Sequence, residues 1–271
     1  MFFASVINML RSLWTSASGM IAQQTHLDVV THNLANVNTQ GYKKRRADFE
    51  DLMYQIYREP GAPVEPDSVV PTGVQVGLGT RVTATPSFMV QGNFQITDGP
   101  LDWAIIDDNA FFQVTMSNGE IGYTRGGSWQ IDDQGQIVNE DGLLLEPAIV
   151  VPNNAMEIQL SPGGIVSVRL ADETQLQEIG QLELARFINP AGLRAVGDRL
   201  FVQTPASGDP ITGNPGVDGM PQVRQNVIEM SNVQVVEEMV EMIVAQRAYE
   251  ANSKGIQTAD DLLRIANGLK R

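Results

Sequence analysis

Two histidines, His26 and His32, are the only imidazoles in a chain of 271 residues, and they stand six apart. Two side chains of one helix share a metal when they project from the same face, three or four residues apart. At six apart these two read as ordinary polar-face residues. The run Asp107-Asp108-Asn109 has the oxygen chemistry of a calcium loop. It lacks the glycine and the closing glutamate that such a loop requires, so a structural turn accounts for it. There is no cysteine, which excludes disulfides, thiolate metal sites and a cysteine nucleophile. A Gly-x-x-x-x-Gly-Lys phosphate loop, a Gly-x-Ser-x-Gly elbow and a His-Glu-x-x-His pair are all missing. Carboxylates are plentiful, yet none forms a pair that stands out as acid and base. The chain is therefore expected to have no catalytic residue, no metal ligand, no cofactor-binding residue and no cofactor.

Charge is unevenly placed. Residues 1–46 carry five basic and one acidic side chain, net +4, and residues 234–271 carry five and six, net −1. The segment 47–233 carries eight basic and 25 acidic, net −17, and all four lysines lie outside it. Phosphate binding needs clustered cations, so nucleic acid is excluded as a partner of the middle. The acidity either keeps the surface soluble or reduces adhesion to a surrounding wall. No apolar run approaches the roughly 20 residues of a membrane span. The apolar start has no basic residue before it and no cleavage pattern, so no cleavable signal peptide is read there. The lack of cysteine suits an oxidising compartment, which the protein would then reach by another route.

The elements that carry information are the two ends. Val6, Leu13, Met20, Leu27 and Leu34 recur at spacing seven, and Val235, Met242, Tyr249, Ile256 and Leu263 do the same. Ala245, Asn252, Ala259 and Ala266 follow the second set by three. A repeat of seven keeps one helix face toward a partner helix. The spacing predicts a helix from about Ser5 to Val37, weakened at Ser16–Gly19 because Gly19 costs about 1 kcal/mol against alanine. Asn36, Asn38 and Gly41 end it. A final helix is predicted from near Asn232 to Gly268, with Ser231 or Asn232 as its N-cap. Lys43-Lys44-Arg45-Arg46 reads as a solvated exit turn, or as a contact with the acidic surface of a neighbouring subunit.

Between the ends, residues 47–58 are ambiguous between a short helix and an extended arm. Pro60, Pro63, Pro66 and Pro71 exclude a continuous helix or a central strand beyond them. From about 74 to 230, short apolar runs such as Ala104–Ile106 and Phe111–Val114 alternate with tight turns ending in Gly119, Gly135, Gly142 and Gly164. That rhythm predicts an all-β region. The expected fold is α+β: N- and C-terminal helices paired as an antiparallel coiled coil, a β-rich middle domain, and an extended linker with an insertion. The expected divisions are 1–45, first half of the core; 46–80, linker and Pro-rich insertion; 81–228, outer β-domain; and 229–271, second half of the core.

Residues 33–42, Asn-Leu-Ala-Asn-Val-Asn-Thr-Gln-Gly-Tyr, resemble the N-terminal signature of the bacterial flagellar rod and hook family. Residues 231–240 with 246–254 resemble its C-terminal signature, and the phrases at 91–94, 100–105, 111–114 and 123–125 resemble its β-domain. Asn33, Leu34, Asn36, Gly41, Asn232, Gln246 and Arg247 carry this match. Within the family the chain is most similar to distal-rod members, through residues 49–54, 58–62 and 71–80. Tyr54, Arg58, Pro60, Gly61, Pro63 and Pro71 mark the segment that resembles the rigidity insertion of that branch. Two loops depart from the pattern, Asp108-Asn109-Ala110 and Gly126-Gly127-Ser128-Trp129. Residues 1–8 precede the usual opening, as a longer helix or an upstream start.

The resemblance implies a non-enzymatic axial protein of the flagellar basal body, polymerised into the distal rod, a drive shaft that transmits torque and encloses an export channel. It implies as partners further copies of the chain, proximal rod proteins, the hook or its junction, the surrounding P- and L-ring proteins and the flagellar type III export apparatus. Neither nucleic acid nor membrane insertion is implied. The location implied is the basal body where it spans the periplasm. Terminal stripes at Leu13, Met20, Leu27, Leu34, Val235, Met242, Tyr249, Ile256 and Leu263 are the expected self-assembly residues, with Leu262 and Ile265 outside the stripe facing neighbours. The alternatives are a proximal rod protein of the same family and a non-flagellar coiled-coil adaptor with a β ligand-binding domain. A glycan hydrolase would leave the terminal stripes unexplained.

Overall fold

The computed structural model describes residues 2–61, 63–65, 68–69, 71–107, 109–171 and 175–268. Pro66 of the expected brace and Asp108 of the acidic run lie outside the described residues. The chain forms two units, each assembled from segments distant in sequence. One comprises Met1–Leu34, Arg45–Pro86 and Val235–Arg271; the other comprises Ala35–Lys44 and Ser87–Gln234.

The first unit holds two long helices, α1 (Phe2–Ala35) and α2 (Val235–Gly268). Neither contains proline, and Glu237 and Glu238 sit in the first turn of α2, where carboxylates favour the helix dipole. Helix α1 runs unbroken through Gly19. Helix α2 begins three residues beyond Asn232, so neither Ser231 nor Asn232 caps it. Ser231 Oγ instead accepts from the Val233 N–H at 3.2 Å. Neither described helix is long and apolar enough to cross a membrane.

The expected coiled coil is not formed. The helices lie at opposite ends of the chain, and the stripes do not interlock. Leu13, Met20, Leu27, Leu34, Met242, Ile256 and Leu263 are only partly covered, and Val235 and Tyr249 are 41% and 43% exposed. Among the residues whose burial is described, the buried helix positions are Ala22, Val30 and Asn33 on α1 and Glu238, Ala245 and Ala259 on α2. The helices touch at isolated points. Asn33 Nδ2 donates to Glu238 Oε2 at 3.0 Å, and His26 Nε2 lies 3.7 Å from Glu241 Oε2. Gly19 faces Asn252 and Gly255 faces Ser16 so closely that an added Cβ would stand 2.9 and 3.0 Å from them. A coiled coil needs large apolar knobs seated in facing holes. Here small and polar residues line the contact, and most large side chains of α2 are left outside it.

Of the two readings of the segment after α1, short helix or extended arm, the structure takes the extended one, as paired strands. Asp48–Asp51 pairs antiparallel with Thr80–Ala84, Tyr54–Arg58 with Val74–Gly77, and Pro63–Glu65 with Ser68–Val69. Together these are one long two-stranded ribbon. Its prolines obey the rule that proline cannot donate to a ladder. Pro60 and Pro71 fall in the gaps between paired stretches, and Pro63 opens one. A two-stranded ribbon is marginal alone in water, and this one runs along α1. Phe49 packs edge-on to His26 with ring centres 5.7 Å apart. The Thr80 N–H donates to Ser18 Oγ at 3.3 Å, and Arg11 donates to Gln55 Oε1 at 3.1 Å and to the Tyr57 hydroxyl.

The 87–234 portion of the second unit consists of strands and turns, with a short 3-10 helix at Pro190–Gly192. Among the described residues, a nine-stranded antiparallel sheet places Ala110–Thr115 between Leu144–Glu146 and Ile121–Thr124, with Leu184–Arg186 also pairing to it. Ala155–Leu160, Ile165–Leu170 and Leu176–Gln181 form a separate three-stranded sheet. The predicted turns are present, with Gly119, Gly135, Gly142 and Gly164 all at positive φ. The core gathers Trp103, Phe112, Val114, Trp129, Leu145, Val166 and Leu184. Phe111, Tyr123, Phe187 and Phe201 form a second cluster on the opposite face of the central strands.

Phe112 is fully buried and packs edge-on against Trp129 with ring centres 5.4 Å apart. Phe112→Ala is expected to cost about 3–5 kcal/mol through lost transfer energy and the cavity left behind. Denaturant unfolding followed by tryptophan fluorescence checks this. A loss below about 1 kcal/mol would mean that the sheet core collapses onto the gap.

Candidate assembly surfaces and the signature residues

The stretches of chain just beyond the first signature segment and just before the second meet at one point of the second unit. Glu229 closes the strand Val227–Glu229, which pairs with Phe94–Ile96. Its side chain is buried, yet every contact it makes suits a carboxylate. Oε1 accepts from Lys43 Nζ at 2.7 Å and from the Gly92 N–H at 2.9 Å. Oε2 accepts from Arg125 Nε at 3.0 Å and lies 2.8 Å from Arg125 Nη2. Side-chain exposure is 1% for Lys43 and Glu229 and 0% for Arg125. Lys43 Nζ also donates to the Val90 carbonyl at 2.8 Å, and Arg125 donates to the carbonyls of Ala110 and Asp107. Buried charges persist when paired and hydrogen-bonded in this way. Lys43 is therefore neither a solvated turn residue nor a contact for a neighbouring subunit. Its partner lies within its own chain.

Gly41 shows why the signature needs glycine. Its φ is +65°, and an added Cβ would stand 2.7 Å from the Arg125 carbonyl carbon. Its N–H donates to the Glu229 carbonyl at 2.8 Å. Asn232 ties three segments together: Oδ1 accepts from the Lys44 N–H at 2.7 Å, and Nδ2 donates to the Phe88 and Val90 carbonyls at 2.9 and 3.0 Å. Asn36 Oδ1 accepts from Thr39 Oγ1 at 3.1 Å in the turn that ends α1. In the first unit, Asn33 grips the backbone of Arg45 from both sides. Nδ2 donates to the Arg45 carbonyl at 2.8 Å, and Oδ1 accepts from the Arg45 N–H at 2.9 Å. Asn33, Gly41 and Asn232 each bond the backbone where the chain turns, and Asn36 holds the Thr39 hydroxyl in the turn between them.

Gln246 and Arg247 are different. Both are exposed on α2, and Arg247 pairs with the likewise exposed Glu250 one turn on, at 3.2 Å. They sit beside an apolar face that the stripe of seven did not reveal. Val236, Met239, Val240, Ile243 and Val244 follow the spacing of one helix face, and all are exposed, Val240 by 55% and Ile243 by 56%. Leu262 and Ile265 are exposed as expected, and on α1 so are Trp14 and Ile21. In the ribbon, Met53, Tyr54, Ile56 and Tyr57 are exposed, as are Arg58, Pro60, Gly61 and Pro71. Beside Tyr54, Asp51 accepts its hydroxyl hydrogen bond and adds its charge, and the two hold the phenol above its usual range.

The exposed α2 face was legible in the sequence as apolar residues three and four apart. The partner of Lys43 was not, since Glu229 lies 186 residues away and no local pattern marks it.

Three family models match the chain: the flagellar hook protein FlgE/F/G D1 domain over residues 105–168, the C-terminal region of the flagellar basal-body rod FlgEFG proteins over 224–269, and the flagella basal body rod protein over 13–43. Full-length relatives are similar throughout. The flagellar basal-body rod protein FlgG of Borreliella burgdorferi is 49% identical over 97% of this chain and 100% of its own length. The proteins of the same name from Caulobacter vibrioides and Bacillus subtilis are 44% and 36% identical over 96% and 97% of this chain, each across its whole length.

Gly41→Ala is expected to destabilise the second unit by about 2–3 kcal/mol, because it adds left-handed strain to a backbone collision. Calorimetry checks this against Gly119→Ala, whose φ is also positive but whose Cβ would meet open space. Equal shifts of Tm in the two variants would mean that the packing against Arg125 contributes nothing.

Proposed function

The chain belongs to the FlgG family of flagellar basal-body rod proteins, and on that premise we propose that it is a structural axial subunit of the bacterial flagellum, polymerised into the distal rod. In this reading the rod transmits torque from motor to hook and encloses the export channel. The role is mechanical rather than enzymatic. The observation that carries the reading is the apolar face of α2. Val236, Met239, Val240, Ile243 and Val244 are exposed in the single chain, and a contiguous apolar face of that kind marks an interaction site. Copies that cover such a face head to tail, with no closing rotation, grow as a helical filament.

The partners follow from that role. Further copies of the chain take the helix faces. Proximal rod proteins, the hook or its junction, and the P- and L-ring proteins are the neighbours along and around the rod. The subunit would travel through the flagellar type III export apparatus to a site that spans the periplasm. The ribbon built on residues 48–84 serves as the stiffening element. Its exposed residues Tyr54, Ile56 and Tyr57 suit contacts between subunits, and its prolines limit the freedom of the chain between paired stretches.

Val240→Asp and Ile243→Asp each place a carboxylate on a face that is open in the subunit and closed in a filament. Thermal unfolding is expected to stay within about 0.5 kcal/mol of wild type. Complementation of a null strain should fail, with basal bodies lacking a distal rod by electron microscopy. Swimming cells with rods of normal length would refute the assembly role of this face.

Replacing residues 54–77 by a two-residue Asn-Gly turn deletes both strands of the outer ribbon together and keeps the Leu52 N–H bonded to the Gly79 carbonyl and the Leu78 N–H to the Met53 carbonyl at the base. The truncated subunit is expected to polymerise into a more flexible or curved rod, measured by electron cryomicroscopy. A straight rod of unchanged persistence length would show that the ribbon carries no stiffness.

A further inference from the structure

The chain leaves the second unit for each long helix through a short passage, 35–44 after α1 and 226–234 before α2. The second passage is held by the β unit, through its pairing with Phe94–Ile96 and the Met230 N–H to the Asn93 carbonyl, and the first is held in turn by the second. Glu229 accepts the Lys43 ammonium on its side chain and the Gly41 N–H on its backbone. Asn232 accepts the Lys44 N–H, and the Asn232 N–H reaches the Tyr42 carbonyl. The Lys44 carbonyl accepts from the Phe88 N–H at 2.8 Å, beside the Phe88 carbonyl that Asn232 also holds. Arg125 completes the charge arrangement, and it also donates to the Ala110 and Asp107 carbonyls, neither of which belongs to the two passages. Docking Lys43 beside that guanidinium brings two cations together out of water. The Glu229 carboxylate that both share offsets the cost.

We infer that the second passage is a latch for the first: residues 41–44 dock on the β unit only once residues 229–232 are in place. A chain whose C-terminal part is missing or still unfolded then cannot fix the exit of α1. On the reading of the protein as a filament subunit, the latch keeps incomplete chains out of the rod.

The test is amide hydrogen exchange on the full-length monomer, comparing wild type with Glu229→Ala and Glu229→Gln. In the alanine variant, exchange at Gly41, Lys44 and Phe88 should speed up by about a hundredfold or more, as expected when one partner of a buried ion pair is removed. The Val114 and Gly122 amides of the central strand pair should keep their wild-type rates. Glutamine keeps an acceptor but no charge, so its acceleration should be smaller and confined to the same amides. Unchanged exchange at Gly41 and Lys44 overturns the latch. So does acceleration that is equal at all five amides in the glutamine variant, which would make Glu229 a general stabiliser. Should the alanine variant fail to fold, the glutamine pattern decides. Rod incorporation of the glutamine variant is measured separately. Wild-type incorporation despite loosened 41–44 amides overturns the exclusion of incomplete chains. A failure of the filament reading itself shows in Val240→Asp and leaves the exchange pattern of the monomer untouched.

Discussion

A carboxylate withdrawn from water must find cations and donors, and Glu229 finds Lys43, Arg125 and a backbone N–H. Taking one partner from such a group costs about 3–5 kcal/mol, since the remaining charges stay buried. An apolar trio of similar volume could be as stable. The ionic trio adds direction: two planar or pointed cations and one forked anion fit together in a single register. The positive φ of Gly41, the three bonds of Asn232 and the seating of Phe88 all presuppose that register. The network is thus a specification of where the chain goes as much as a source of stability.

The first unit faces the opposite constraint. Its helices meet through alanine, glycine, asparagine and glutamate, residues that let backbones approach but cover little area. The larger apolar residues of α2 are then left facing outward. One fact accounts both for the failure of the coiled-coil expectation and for the assembly role we propose for α2. A seam of leucines within the subunit would have used the surface that a filament needs between subunits.

Much of this was legible in the residues. Both helices, the glycine turns of the β region and the strands around Phe111 and Ala104 follow from period and composition. The family match rests on words at 33–42 and 231–254 that the structure places in helix exits and on α2. What escaped had physical reasons. Helix α2 is apolar on more than one face, and periodicity cannot say which face turns inward. Lys43 stands in a run of four cations, which reads as solvated until a distant carboxylate is found. The ribbon was hidden because its prolines break the alternation that announces a strand, although they fall where the ladder is already interrupted.

The ribbon of 48–84 has a further consequence through its pleat. Away from the register shifts at Asp48/Phe49, Ile56/Arg58 and Pro63/Glu65, side chains alternate sides along each strand, so removing one residue from both strands turns the side chains beyond that point to the opposite face. Removing two restores the faces and shortens the ribbon by about 6.6 Å. Its length can therefore change over evolution only in paired steps if Tyr54, Ile56 and Tyr57 are to keep their orientation. That makes the ribbon a graduated ruler, in which reach is quantised while the chemistry at its edge stays the same.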